Sequence, residues 1–286
     1  MTTELLAEIK RLRTADPNSI GSILDRLFKS GTRVRIPVVE SLAAQEMWRV
    51  VRLDSRGETV ADFSYPPSPE CCALARCNDS KQQVFYGGLS LGTCLNEIKD
   101  LQDGERVRVG LWRARQGLMY FDTHLDSPNE LEYAIFEKLA SLFAHEGDRF
   151  YGQTSAVTNW VFDQDFGPLC ASAIMYPTTL KTAIGENPAN FAIRKDYIDA
   201  GNMSLFKWFQ FEVLGRKESS YVIREVCSGD SELGLVKLDS KLSWTNTPDG
   251  KVFIPPMTKV TFMWDGFAWC PDKELDGNSS IREIEA

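Results

Sequence analysis

Between Arg76 and Glu97 the chain reads RCNDSKQQVFYGGLSLGTCLNE, the stretch richest in side chains that can do chemistry at interpretable spacing. Arg76 stands ten residues before Tyr86, and Tyr86 stands eleven before Glu97. An arginine offers a planar, permanently charged fork to an anion. A tyrosine offers a ring face and a hydroxyl, and a glutamate can steady a positive charge that develops during a reaction. QVFYGG reads as a strand closed by a Gly-Gly break, and LSLGTCLNEI as the helix that follows. That order brings Tyr86 and Glu97 to opposite edges of one pocket, with the Arg76 guanidinium at its mouth. Such a pocket suits an anionic ligand that contains a sugar.

The elements that must position these groups follow from hydrophobic spacing. Residues 3–13 and the run from Ser19 to Gly31 are amphipathic, with the Asp16-Pro17 pair between them, and are expected to form an N-terminal helical arm over residues 1–44. From Trp48 short apolar runs bounded by Gly, Pro and Asp predict a β-rich α+β domain over 45–215. Its candidate strands are 47–53, 82–88, 106–114, 118–123, 171–177 and 190–194, and its candidate helices 89–101, 128–144 and 155–164. In the second helix Leu131, Ile135, Leu139 and Leu142 recur at three- or four-residue steps, a core stripe. Residues 216–286 read as a β-rich extension with a frayed acidic tail from Pro271.

Composition narrows the classes. With 286 residues the chain is long enough for one large domain with extensions. A net charge of −8 argues against nucleic acid as the main ligand, because phosphate-backbone binding needs basic patches. Seven scattered cysteines do not form the even framework of a secreted disulfide scaffold, so reduced thiols and a cytoplasmic location are expected. The N-terminus lacks the apolar core of a signal peptide, and no run approaches the ~18 apolar residues of a membrane span. Two isolated histidines and no CxxC or HExxH spacing predict no metal site. GxGxxG and P-loop signatures are missing, and neither histidine stands near a credible nucleophile.

Several motifs taken in order carry a resemblance. Trp48-Arg49-Val50-Val51-Arg52 is followed by Ala75-Arg76-Cys77-Asn78, then by Val84-Phe85-Tyr86-Gly87-Gly88 and Thr93-x3-Glu97. Downstream come Tyr151-x2-Thr154, the segment Ala173 to Thr178 with its Tyr-Pro-Thr, and Asn190-Phe191-Ala192-Ile193. Over roughly residues 45–200 the chain resembles the RES-domain family of bacterial toxins and related proteins. Two positions depart from that pattern: Ala75 replaces a Gly, and Thr178 stands where the family has Ser.

The resemblance implies a fold of twisted β-sheets with flanking helices, similar to that of ADP-ribosyltransferases, and consumption of NAD. It assigns Glu97, Arg76, Tyr86 and Thr178 to catalysis. Arg76, Tyr86 and either Arg49 or Arg52 are assigned to holding NAD, whose pyrophosphate suits bidentate guanidinium contacts. Glu97 would stabilise the oxocarbenium-like ribose as nicotinamide leaves. Hydrolysis, phosphorolysis and ADP-ribose transfer all stay open, as does a homo-oligomer. A neutralising antitoxin or a defence-system protein is the partner implied. The competing expectation is a catalytically inactive RES-like module that recognises a protein partner.

Overall fold

The computed structural model describes residues 3–29, 34–41, 45–53, 59–98, 100–115, 117–124, 127–164, 171–178, 189–217, 220–232, 235–236, 257–264 and 269–271. The chain opens with helices α1 (Thr3–Arg11) and α2 (Pro17–Lys29). Pro17 occupies the first helical position, where its fixed φ is preset and its missing N–H goes unneeded. The Asn18 amide donates to Asp16 Oδ1 at 2.9 Å. Asp16-Pro17 therefore starts the second helix as well as closing the first turn.

Strands β1 (Ile36–Ser41), β2 (Glu46–Arg52) and β3 (Val84–Gly88) precede helix α3 (Leu91–Glu97). Strands β4 (Arg106–Ala114) and β5 (Met119–Asp122) lead to helices α4 (Glu130–Phe143) and α5 (Tyr151–Asp163). Then come β6 (Ala173–Pro177), β7 (Ala189–Arg194), α6 (Lys195–Asp199), β8 (Met203–Lys217), β9 (Ser220–Glu232), β10 (Leu235–Val236), β11 (Met257–Trp264) and β12 (Trp269–Pro271). The fold is mixed α+β. Its described strands lie in the order β10-β9-β8-β4-β2-β3-β7-β6-β5-β1-β11-β12, and the β5–β6 pair is parallel while the other pairs are antiparallel.

One junction in this sheet is thin. β2 pairs with β4 from Glu46 through Arg52, yet with β3 at Trp48–Gly88 alone. The sheet splits there into a β2-β4-β8-β9 flank and a β3-β7-β6-β5-β1 flank. Each flank has a core on one side, and a third cluster, with Met47, Phe85, Trp112, Tyr120 and Phe191, joins the two. Val107, Val109, Phe209, Phe211 and Val213 are buried beside Leu95 on one. The helices pack Ile20, Leu24, Phe28, Ile135, Phe136 and Val161 on the other.

The segment read from sequence as a helical arm is integral to this second core. Leu12, Ile20, Ile23, Leu24 and Leu27 are fully buried, Phe28 stacks on Trp160 at 5.4 Å, and the Trp160 indole N–H donates to Asp25 at 3.0 Å. The arm also contains a strand that sequence reading missed. β1 lies between β5 and β11, with Val38 opposite Phe121 on one side and Val260 on the other. β8 runs across the boundary drawn at residues 215 and 216. Residues 237–256 and the tail from 272 lie outside the described residues.

A buried ion pair ties the chain before β1 to α4. Arg35 donates from Nε and Nη2 to the two oxygens of Glu132, each at 2.9 Å, and from its backbone N–H to Oε1 at 3.0 Å. Ser127 Oγ adds a fourth bond at 2.6 Å, and Glu132 is fully buried. Burial alone would raise the Glu132 pKa, but the bonds from Arg35 and Ser127 outweigh it and hold the carboxyl below its ordinary value. A carboxyl pKa depressed by folding stabilises the protein above the unfolded value, and that contribution is lost as pH falls through the folded value. Arg35→Met is expected to lower stability by about 3–5 kcal/mol, because it strands a buried charge. Urea unfolding checks this, and the gap from wild type should close as pH is lowered.

Candidate functional site

The cleft lies at the split between β2 and β3. A Cβ on Gly87 would come within 2.9 Å of Phe85 and 3.1 Å of the Trp48 carbonyl oxygen, and one on Gly88 within 2.9 Å of Cys94 Sγ. The Gly-Gly pair thus lets β2 and α3 close on β3, an approach no larger residue permits. Ser90 caps α3 by accepting from the Thr93 amide at 3.0 Å, and Ile98 ends the helix. α3 is shorter than the 89–101 expected from sequence, and α5 starts at Tyr151 rather than 155.

Where the β2–β3 ladder stops, side chains take over its backbone groups. Arg49 Nη1 donates to the Tyr86 carbonyl at 2.6 Å, and the Cys94 thiol donates to the Trp48 carbonyl at 3.0 Å. Arg49 also lies over the Phe85 ring, 5.1 Å from its centre. Across the sheet Tyr176, Asn190, Gly88 and Trp48 form one continuous rung. Since Gly88 has no side chain, α3 places Glu97 within reach of Asn190.

Glu97 is held by one oxygen. Its Oε1 accepts from Thr178 Oγ1 at 2.6 Å and from Asn190 Nδ2 at 2.7 Å. Among the described residues no hydrogen bond reaches Oε2. A carboxylate anchored this way keeps its orientation while its second oxygen stays available to a ligand.

A cavity of about 270 Å³ is lined by Arg49, Arg76, Tyr86, Glu97, Tyr151 and Asn190, with Cys94 and Tyr176 beside them. The structure therefore brings Arg49, Arg76, Tyr86 and Glu97 to one place, with Thr178 behind Glu97. Arg52 is elsewhere: its Nη1 meets Glu105 at 3.2 Å, its side chain is half exposed, and it does not line the cleft. Alternation explains this, since Arg49 and Arg52 are three residues apart on β2 and point to opposite faces. Of the two arginines that sequence left open, Arg49 is the one that lines the cleft.

Two other expectations change in detail. Arg76 is not a loose group at the mouth: its Nη1 donates to the carbonyls of Phe143 and, at 3.1 Å, His145, capping α4, and it lies 5.5 Å from the centre of the Tyr151 ring. Tyr86 presents its ring but not its hydroxyl, which donates to Asn78 Oδ1 at 2.7 Å and accepts from the Cys77 amide at 2.8 Å. Burial, then the neighbouring Cys77, pushes the Tyr86 phenol up, so it stays neutral. Burial pushes the Cys77 and Cys94 thiols up to about 12, so neither supplies a thiolate near neutral pH. Among the described residues no cluster of His, Cys, Asp and Glu has the makings of a metal site, and no helix is long and apolar enough to cross a membrane.

Asn190 and Tyr151 were not singled out as site residues from sequence. An Asn inside the apolar strand ANFAIR was the available signal, because a buried amide needs a partner. Tyr151 gave none. Compared with family models, curated proteins and solved structures, the chain matches none of them.

Proposed function

We propose that the cleft binds NAD and that the protein cleaves the nicotinamide–ribose bond, on a RES-like relative of the ADP-ribosyltransferase fold. The observation that carries this reading is the carboxylate of Glu97, fixed by Thr178 and Asn190 in a cleft flanked by two arginines. A volume of about 270 Å³ is near the lower end of small-molecule sites, ~300–1,000 Å³. It takes the nicotinamide ring and its ribose, with the pyrophosphate directed toward Arg49 and Arg76.

As the glycosidic bond breaks, positive charge grows on the ribose and the Glu97 carboxylate stabilises it. Nicotinamide leaves as a neutral molecule, taking the bonding electron pair, so no strong general acid is needed. The neutral ring of Tyr86 is a wall for the leaving ring. The acceptor is water, phosphate or a protein nucleophile. In a toxin-like role the isolated chain depletes cellular NAD unless a partner protein covers the cleft.

The test is incubation of the pure protein with NAD while free nicotinamide is followed, with phosphate present and absent. Release supports the reading, and its absence under both conditions leaves the inactive binding module. Thr178 sharpens the test. Thr178→Ser keeps the hydroxyl that Glu97 accepts from and is expected to match or exceed wild-type turnover. Thr178→Val keeps the shape but leaves Glu97 one bond short, and turnover is expected to fall about tenfold or more. A fully active Val variant would show that this hydrogen bond does not matter to the reaction.

A further inference from the structure

A larger cavity, about 700 Å³, lies away from the NAD cleft, between the loop after β2, the end of β4 and the start of β8. Tyr65, Trp112, Leu205 and Phe206 give it aromatic and aliphatic walls. A register shift helps to shape it: Leu111 pairs with Lys207 and Trp112 with Leu205, so Phe206 is an extra residue on β8. Phe206 is over a third exposed, with the Arg113 guanidinium 3.9 Å from its ring centre. Trp112 is locked by its indole N–H, which donates to the Phe63 carbonyl at 3.1 Å. These walls are placed before any ligand arrives.

Two features give the cavity polar ends. Ser64 lines it and is nine-tenths buried, yet its hydroxyl has no hydrogen-bond partner among the described residues. A buried hydroxyl left without a partner costs free energy, so an occupant that bonds to it is favoured. Arg113 lines the cavity and, just outside the lining, meets Glu46 in a lopsided pair. Arg113 Nε and Nη2 both donate to the same oxygen, Glu46 Oε1, at 3.2 and 2.6 Å. That leaves Arg113 Nη1 as a donor and Glu46 Oε2 as an acceptor, of opposite charge, at the two ends of the pair. The Lys195–Asp199 pair near Tyr65 is balanced likewise, with the Tyr65 hydroxyl donating to Asp199 at 2.5 Å.

We propose that this cavity is a second ligand site and that it takes a free aromatic α-amino acid. The ligand carboxylate meets Arg113 Nη1 and its ammonium meets Glu46 Oε2. Its aromatic side chain enters between Trp112, Tyr65 and Phe206, and a ring N–H or hydroxyl reaches Ser64. The Arg113–Glu46 pair favours a zwitterion over a simple anion or cation, because either of the latter leaves one of the two groups opposed by like charge. The inference does not depend on what the cleft at Glu97 does.

Calorimetry on the full chain tests it with L-tryptophan, tryptamine, which lacks the carboxylate, and indole-3-propionate, which lacks the ammonium. Tryptophan is expected to bind about tenfold or more tightly than either analogue. Arg113→Gln is expected to erase that preference over tryptamine. Ser64→Ala is expected to weaken tryptophan while leaving phenylalanine, which has no polar ring atom, unchanged. Circular dichroism confirms that each variant is folded. No heat with tryptophan at millimolar concentration, or equal affinity for all three compounds, overturns the proposal. An Arg113→Gln variant that binds as wild type does so too.

Discussion

Replacing Glu97 with Gln is expected to lower nicotinamide release from NAD by about 10²–10⁴-fold while the protein stays folded. Gln has nearly the shape of Glu, and its carbonyl oxygen still accepts from Thr178 and Asn190, which now hold Oε1 at 2.6 and 2.7 Å. What disappears is the negative charge, and charge is what a developing oxocarbenium ion senses. The Asn190 amide then separates two explanations. Asn190→Ser removes a bond to Glu97 without removing the carboxylate, so its effect on turnover should be smaller than that of Glu97→Gln. In cells the wild-type chain is expected to lower the NAD pool and arrest growth, and the Gln form to do neither. A folded Gln variant with undiminished release would remove Glu97 from the chemistry.

Deleting residues 1–29 is expected to abolish folding. The deletion removes Ile9, Leu12, Ile20, Ile23, Leu24, Leu27 and Phe28, all buried. At ~1.5–3 kcal/mol for each large apolar side chain, their combined burial rivals the whole net stability of a typical domain, about 5–15 kcal/mol. Trp160 also loses the ring and the carboxylate that fix it, Phe28 and Asp25. Far-ultraviolet circular dichroism and a thermal melt decide the matter. A soluble truncated chain with a cooperative melt would show that the arm is dispensable.

The local chemistry of Arg76, Tyr86 and Glu97 was legible because strand, Gly-Gly break and helix are consecutive, so spacing along the chain becomes spacing in the fold. Arg49 was legible only as half of a pair. Strand alternation separates it from Arg52 once the register with β4 is known, and register depends on partners distant in sequence. β1 escaped notice for a similar reason: IPVVES is a short apolar run between two helices and a distant sheet, and its neighbours are Phe121 and Val260. Boundaries drawn where composition changes do not reveal that β1 pairs with β11, more than 200 residues further along the chain. The role of Thr178 also needed the fold, because its partner Glu97 lies 81 residues away.

The junction at Trp48 and Gly88 gives the cleft a seam with little backbone pairing across it. Rotating one flank about it breaks a single ladder pair, and what resists is the Arg49–Tyr86 and Cys94–Trp48 bonds together with the apolar cluster shared by the flanks, where Phe85 meets Trp112 edge-on at 5.3 Å. A molecule that grips both flanks acts as a clasp. The amides flanking this seam should therefore exchange with deuterium faster than those along the β2–β4 ladder, and slow down when the gap is filled.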